Sequence, residues 1–155
     1  MKTRARKLVV DRRTYRYAVR HQHDVITSPG EPPRYVGCRE RLTVRLDEPA
    51  ARPLTIVFVG GPDHGVGDGR NPSGLVIRWL DDWDEGSVPP GVVARPSGVL
   101  NLHRPGVARA MLDGAIARGW DTTSALELDG WDLFEPVRAR LGPDAFRDHE
   151  QHLGR

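Results

Sequence analysis

At 155 residues the chain is sized for a single domain spanning 1–155, one able to bury roughly 70% of its extended-chain surface. Its 38% hydrophobic content, 17 Gly and 13 Pro favour one core with wet loops over long helices, and no apolar run approaches the roughly 20 residues that a membrane-spanning helix needs. A formal net charge of +2 hides a split: residues 1–45 hold 12 Lys/Arg against 4 Asp/Glu, or +8, and residues 46–155 hold 11 against 17, or −6. Such asymmetry points to an anionic partner, or to two halves that face each other.

Cys38 is the single cysteine, so no disulfide framework exists, and this fits a reducing cytoplasm. The opening MKTRARKLVVDRR has positive charge without the apolar segment of a secretory signal behind it. Of the 23 basic residues all but Lys2 and Lys7 are Arg. Arg offers planar, two-pronged contact to carboxylate or phosphate, although a genome rich in Arg, Gly, Pro, Asp and Val produces the same bias.

Residues 7–10 and 14–21 read as two strands joined by Asp11-Arg12-Arg13. In the second, Tyr15, Tyr17, Val19 and His21 alternate with Arg16, Ala18 and Arg20, which predicts an inward apolar face and an outward basic one. Residues 24–37, with Pro29-Gly30 and Pro32-Pro33, read as a flexible loop. Residues 39–46 alternate again, with Leu42, Val44 and Leu46 inward. The apolar run 54–59 suits a central strand covered on both faces. Residues 60–74 form a second, glycine-rich flexible loop, and 75–80 a further strand. Short strands follow at 92–95 and 99–102. Pro105 opens the principal helix, which Gly119 closes with Trp120 folding back on the last turn. Residues 125–128 suit a last strand. Two short helices end the chain: Asp132 and Glu135 resemble a capping box for the first, Gly142-Pro143 separates the second, and residues after about 152 are expected to fray. Strands follow one another without helical crossovers. The expected fold is therefore α+β: a mainly antiparallel sheet of roughly five to seven strands, the helix of about 105–118 packed on it, and short C-terminal helices.

Five candidate sites emerge. The basic hairpin sets Arg12 and Arg13 at a turn and Arg16 and Arg20 on one face, a stripe suited to phosphates, with Tyr15, Tyr17 and Tyr35 able to stack bases if exposed. The acidic run Asp81, Asp82, Trp83, Asp84 and Glu85 joins an aromatic anchor to negative charge, as protein interfaces do. The glycine loop matches neither G-x-x-x-x-G-K-[ST] nor G-x-G-x-x-G. His21 with His23, His149 with His152, and Asp63, His64 and Asp68 have permissible spacing but no metal signature, and no metal or cofactor is expected. No serine lies in G-x-S-x-G, and Cys38, beside Arg39 and Arg41, gains at most a steadied thiolate. The preferred reading is a non-enzymatic, cytoplasmic protein-interaction module with a polarised surface, contacting its partner through the 81–85 run and the 60–74 loop. The alternatives are a nucleic-acid-binding protein using Arg12, Arg13, Arg16 and Arg20, then a small hydrolase or metal-dependent enzyme at the 60–74 loop.

Overall fold

The computed structural model describes residues 4–61, 64–66 and 90–142. β1 (Arg6–Val10) and β2 (Arg13–Ile26) meet at a two-residue turn, Asp11-Arg12, with φ of 48° and 65°. Positive φ at both positions gives the turn a twist that matches its strands. Arg13, expected in the turn, pairs with Val10 and belongs to β2. β3 (Arg34–Leu46) runs antiparallel to β2, and β4 (Leu54–Val59) antiparallel to β3.

A small second sheet follows, made of β5 (Gly65–Val66), β6 (Val92–Arg95) and β7 (Gly98–Asn101). Then come α1 (Pro105–Ala117), β8 (Leu126–Asp129) and α2 (Gly130–Leu141). The main sheet has the order β1-β2-β3-β4-β8. Its last pairing, β4 with β8, is parallel, from Leu54↔Leu126 to Val57↔Asp129. A parallel neighbour requires a long connection, and the second sheet and α1 lie within it. The expected α+β class with a mainly antiparallel sheet is what the chain forms.

Alternation decides which face is covered. Tyr15, Tyr17, Val19, Leu42, Val44, Leu46, Leu54, Ile56 and Phe58 all point to one side and are buried. Helix residues Val107, Met111, Leu112, Leu133 and Phe134 close over them, together with Val66, Val93 and Leu100 of the second sheet. β4 is covered on that side only: Thr55 and Val57 are half-buried, and Val59 is 50% exposed. Its unbroken apolar run therefore does not signal two covered faces.

α1 ends as its sequence predicts. Gly119 takes φ +100°, its N–H donates to Ile116, and that of Trp120 donates to Ala115, the paired bonds of a glycine-terminated helix. α2 is capped three residues earlier than expected. Asp129, not Asp132, accepts from the N–H of Trp131 at 2.9 Å. Pro136 consequently lies inside the helix, where it cannot donate to the carbonyl four residues back. The Asp132 carbonyl accepts instead from Arg118 at 3.1 Å. The strand expected at 75–80 and the second C-terminal helix fall outside the described residues. Among the described residues no helix is long and apolar enough to cross a membrane.

Candidate functional site on the β2–β3 ribbon

β2 and β3 are the longest strands among the described residues, with 14 and 13 residues. β1 pairs with β2 only over Arg13–Tyr17, and β4 with β3 only over Arg39–Val44. Beyond those limits the two strands pair with each other, down to Ile26↔Arg34. The segment expected as a loop over 24–37 thus carries strand at both ends. Its Pro-rich middle makes the turn, while alternation on either side continues the ladder.

The register shifts once, between Gln22 and Asp24. There one residue, His23, faces two, Gly37 and Cys38, and Gly37 takes φ +63°. A bulge of this kind bends the ribbon and re-aims side chains. Arg39 brackets it from the outer face: Nε donates to Gln22 at 3.3 Å, Nη1 donates to the Gly37 carbonyl at 3.0 Å, and Nη1 lies 3.6 Å from Asp24.

On the inner face, beyond Tyr15, Tyr17 and Val19, the alternation becomes polar. His21 stands opposite Glu40 in the register. Its Nδ1 lies 2.7 Å from Glu40 Oε1, and Glu40 is fully buried. Nδ1 is the donor of that bond, because a carboxylate only accepts. His21 Nε2 is buried and has no hydrogen-bond partner among the described residues. His23 and Cys38 lie beside His21, and one ligand atom from each of the three residues lies within 4.8 Å of the others. The His23 ring meets Tyr35 edge-on, with centroids 4.5 Å apart. Arg39 and Arg41 alternate with Cys38 along β3 and occupy the opposite face of the ribbon.

At the ribbon's far end the side chains are apolar yet exposed: Val25 51%, Ile26 43%, Tyr35 53% and Val36 39%. These are four of the seven exposed large apolar residues among those described. Val25 pairs with Tyr35 on the inner face, while Ile26 and Val36 lie on the outer face with Asp24 and Arg34, and Arg20, Arg39 and Arg41 line that outer face farther along the ribbon.

The outer face of the main sheet is cationic along β2 and β3. Arg16 stands opposite Arg45, and Arg20 opposite Arg41, pairings that repel and weaken a sheet. Local acids relieve part of this charge. Arg16 bonds Asp47 at 3.3 Å, Arg41 lies 3.5 Å from Glu127, and Arg13 lies 3.9 Å from Glu48. Of the residues expected in a basic stripe, Arg16 and Arg20 share this face, while Arg12 sits in the hairpin turn and Arg13 opens β2 opposite Val10, one position out of phase with Arg16. Tyr15 and Tyr17 are 3% and 1% exposed and cannot stack on bases.

A cleft of about 570 Å³ at the β1 edge is lined by Arg4, Arg6, Lys7, Arg16, Tyr17 and His103, among others. Arg6 and Tyr17 both donate to the His103 carbonyl, at 2.7 and 3.0 Å. Burial holds the His103 imidazole below its ordinary pKa, and the Arg6 charge adds to this, against an opposing hydrogen bond to the Pro90 carbonyl.

The acidic run Asp81, Asp82, Trp83, Asp84 and Glu85 lies outside the described residues, as do Asp63, Asp68, His149 and His152. Sequence reasoning missed Glu40, Arg45 and the gathering of Val25, Ile26, Tyr35 and Val36. The first two follow from alternation once β2 and β3 are set in register; the third needs the ribbon to be seen extending past its neighbours. No family model, curated protein or solved structure matches this chain.

Proposed function

We propose that the protein is a non-enzymatic, cytoplasmic interaction module that docks on another protein through the end of the β2–β3 ribbon. The observation that carries this reading is the exposed apolar end of the ribbon, with Val25 and Tyr35 on one face and Ile26 and Val36 beside Arg34 on the other. Protein interfaces combine an apolar, aromatic centre with an Arg-rich surround, and such residues dominate binding energy. The matching partner presents an apolar patch within an acidic rim, so that charge steers the encounter and apolar contact holds it. The acidic run around Trp83 is a second proposed contact element.

The test is affinity capture with the full chain after nuclease treatment, compared with a Val25→Ser/Tyr35→Ser/Val36→Ser variant. A protein held by the wild type and lost by the variant, at unchanged melting temperature, supports the reading. Equal capture by both overturns it.

A second reading rests on the like-charge pairs Arg16↔Arg45 and Arg20↔Arg41, which Asp47 and Glu127 neutralise only in part and which a further anion would stabilise. A nucleic-acid backbone supplies such anions. Salt-sensitive oligonucleotide binding that disappears on charge reversal of Arg16, Arg20, Arg41 and Arg45 supports this alternative. No binding at low salt overturns it.

A further inference from the structure

The ribbon's base carries chemistry that docking does not use. We propose that His21, His23 and Cys38 bind a thiophilic divalent transition metal, zinc foremost, with Glu40 as the residue that positions His21. The three side chains come from both strands and meet where the ladder is interrupted. One ligand atom from each lies within 4.8 Å of the others. Tetrahedral zinc places neighbouring nitrogen and sulfur donors about 3.3–3.6 Å apart. Small side-chain rotations close that difference, and His23, exposed and held by ring contacts with Tyr35 and His21, is the residue placed to make them.

The histidine–carboxylate bond is the stronger argument. Glu40 is a buried carboxylate 2.7 Å from His21 Nδ1. With the proton held at Nδ1, the lone pair lies on Nε2. That atom is buried and has no hydrogen-bond partner among the described residues, a costly state for a polar group. A metal-bound histidine has this arrangement: one ring nitrogen on the metal, the other donating to a carboxylate that fixes tautomer and orientation. Two imidazoles and a thiolate suit zinc, cobalt or copper and disfavour magnesium and calcium. Three protein ligands leave the fourth position to water or another donor. A metal here ties β2 to β3 across the bulge, so the ribbon's rigidity depends on it. The proposal does not rest on the docking reading: Val25, Ile26, Tyr35 and Val36 supply none of the ligands, although Tyr35 packs against the His23 ring.

The test is cobalt(II) titration of the full-length, tag-free protein after chelation and desalting, followed by absorption, with zinc competition. One cobalt per chain is expected, with a thiolate-to-cobalt charge-transfer band that zinc abolishes. Cys38→Ser removes the band. His23→Ala, at an exposed position that spares the fold, weakens binding at least tenfold. Glu40→Gln retains the band but weakens binding roughly 10–100-fold, the signature of a positioning residue rather than a ligand. Melting curves of each metal-free variant identify any that fail to fold, in which case His23→Ala decides. Absence of the band in the wild type, or equal cobalt affinity of the wild type and His23→Ala, overturns the proposal.

Discussion

The two halves of the β2–β3 pair obey the same backbone rules and serve different ends. From Arg13 to Val19 and Leu42 to Leu46 the inner face is Tyr, Val and Leu, and α1, α2 and the second sheet close over it. From His21 to Ile26 and Arg34 to Glu40 the ladder continues, but the inner face turns to His, Cys and Glu and then to exposed Val and Tyr. Pairing sets the strands' length, whereas covering sets their stability. A hairpin without a covered face is marginal in water, so the outer half of the ribbon must draw its order from elsewhere: from the core half, from Arg39 across the bulge, from a bound metal, or from a partner.

The comparison breaks most sharply at Leu42, which is fully buried in the same strand that carries Val36. Leu42→Ala is expected to cost about 2–5 kcal/mol, the usual range for a core leucine, read as a large fall in denaturation midpoint. A cost below about 1 kcal/mol would show that the core half is as loosely held as the ribbon. The next largest effect falls at the boundary. Glu40→Ala removes the acceptor of His21 from a buried site and is expected to cost about 1–3 kcal/mol. Glu40→Gln, which keeps an oxygen in place, should cost less.

Much of the core half was legible in the sequence. Tyr15, Tyr17 and Val19 announce their face by alternation, as do Leu42, Val44 and Leu46, and Gly119-Trp120 announces the end of α1. Each signal is local, because it arises from the period of a strand or from one residue's backbone freedom. The ribbon half was not legible for the opposite reason. Pro29-Gly30 and Pro32-Pro33 are true turn signals, but they do not say how far the pairing extends on either side. The metal candidate needs the register between residues 21 and 40, including a bulge, and no spacing within either strand carries that. The parallel pairing of β8 with β4 likewise depends on a connection dozens of residues long. The cap of α2 was misplaced because Asp129 and Asp132 both suit the position, and the strand ending at Asp129 decides between them.

Gly37 tests the bulge directly. Its φ of +63° is left-handed, and an added Cβ would sit 3.1 Å from Asp24 Oδ2. Gly37→Ala is expected to cost about 1–2 kcal/mol for the backbone conformation alone. Because His23 and Cys38 face each other across this bulge, the same change should weaken cobalt binding more than Leu42→Ala does, although it costs less stability. That inversion, measured by titrating both variants at a temperature where both are folded, would separate the ribbon's function from the core's stability.

His103 gives a smaller effect confined to the core half. Its imidazole is held below its ordinary pKa of 6.5 by burial, assisted by Arg6, so the unfolded chain takes up a proton more readily than the folded one. Its contribution to stability is then complete above pH 6.5, where the ring is neutral in both states. It is lost as pH falls from about 6.5 through the lower folded value. Replacing His103 with Gln should flatten the acid side of the stability curve in that window. An unchanged slope would remove the assignment.

The smallest expected change in stability is the most telling for function. Val25→Ser and Val36→Ser alter side chains 51% and 39% exposed, and surface substitutions of this kind ordinarily stay within about 0.5 kcal/mol. Exposed valines in a two-stranded ribbon add a modest strand preference to the folded monomer. If these variants melt with the wild type yet lose the captured partner, the apolar end of the ribbon is retained for what it touches outside the molecule. If instead either variant unfolds the chain, those side chains are covered by the protein itself, and the docking surface must be sought on the arginine face.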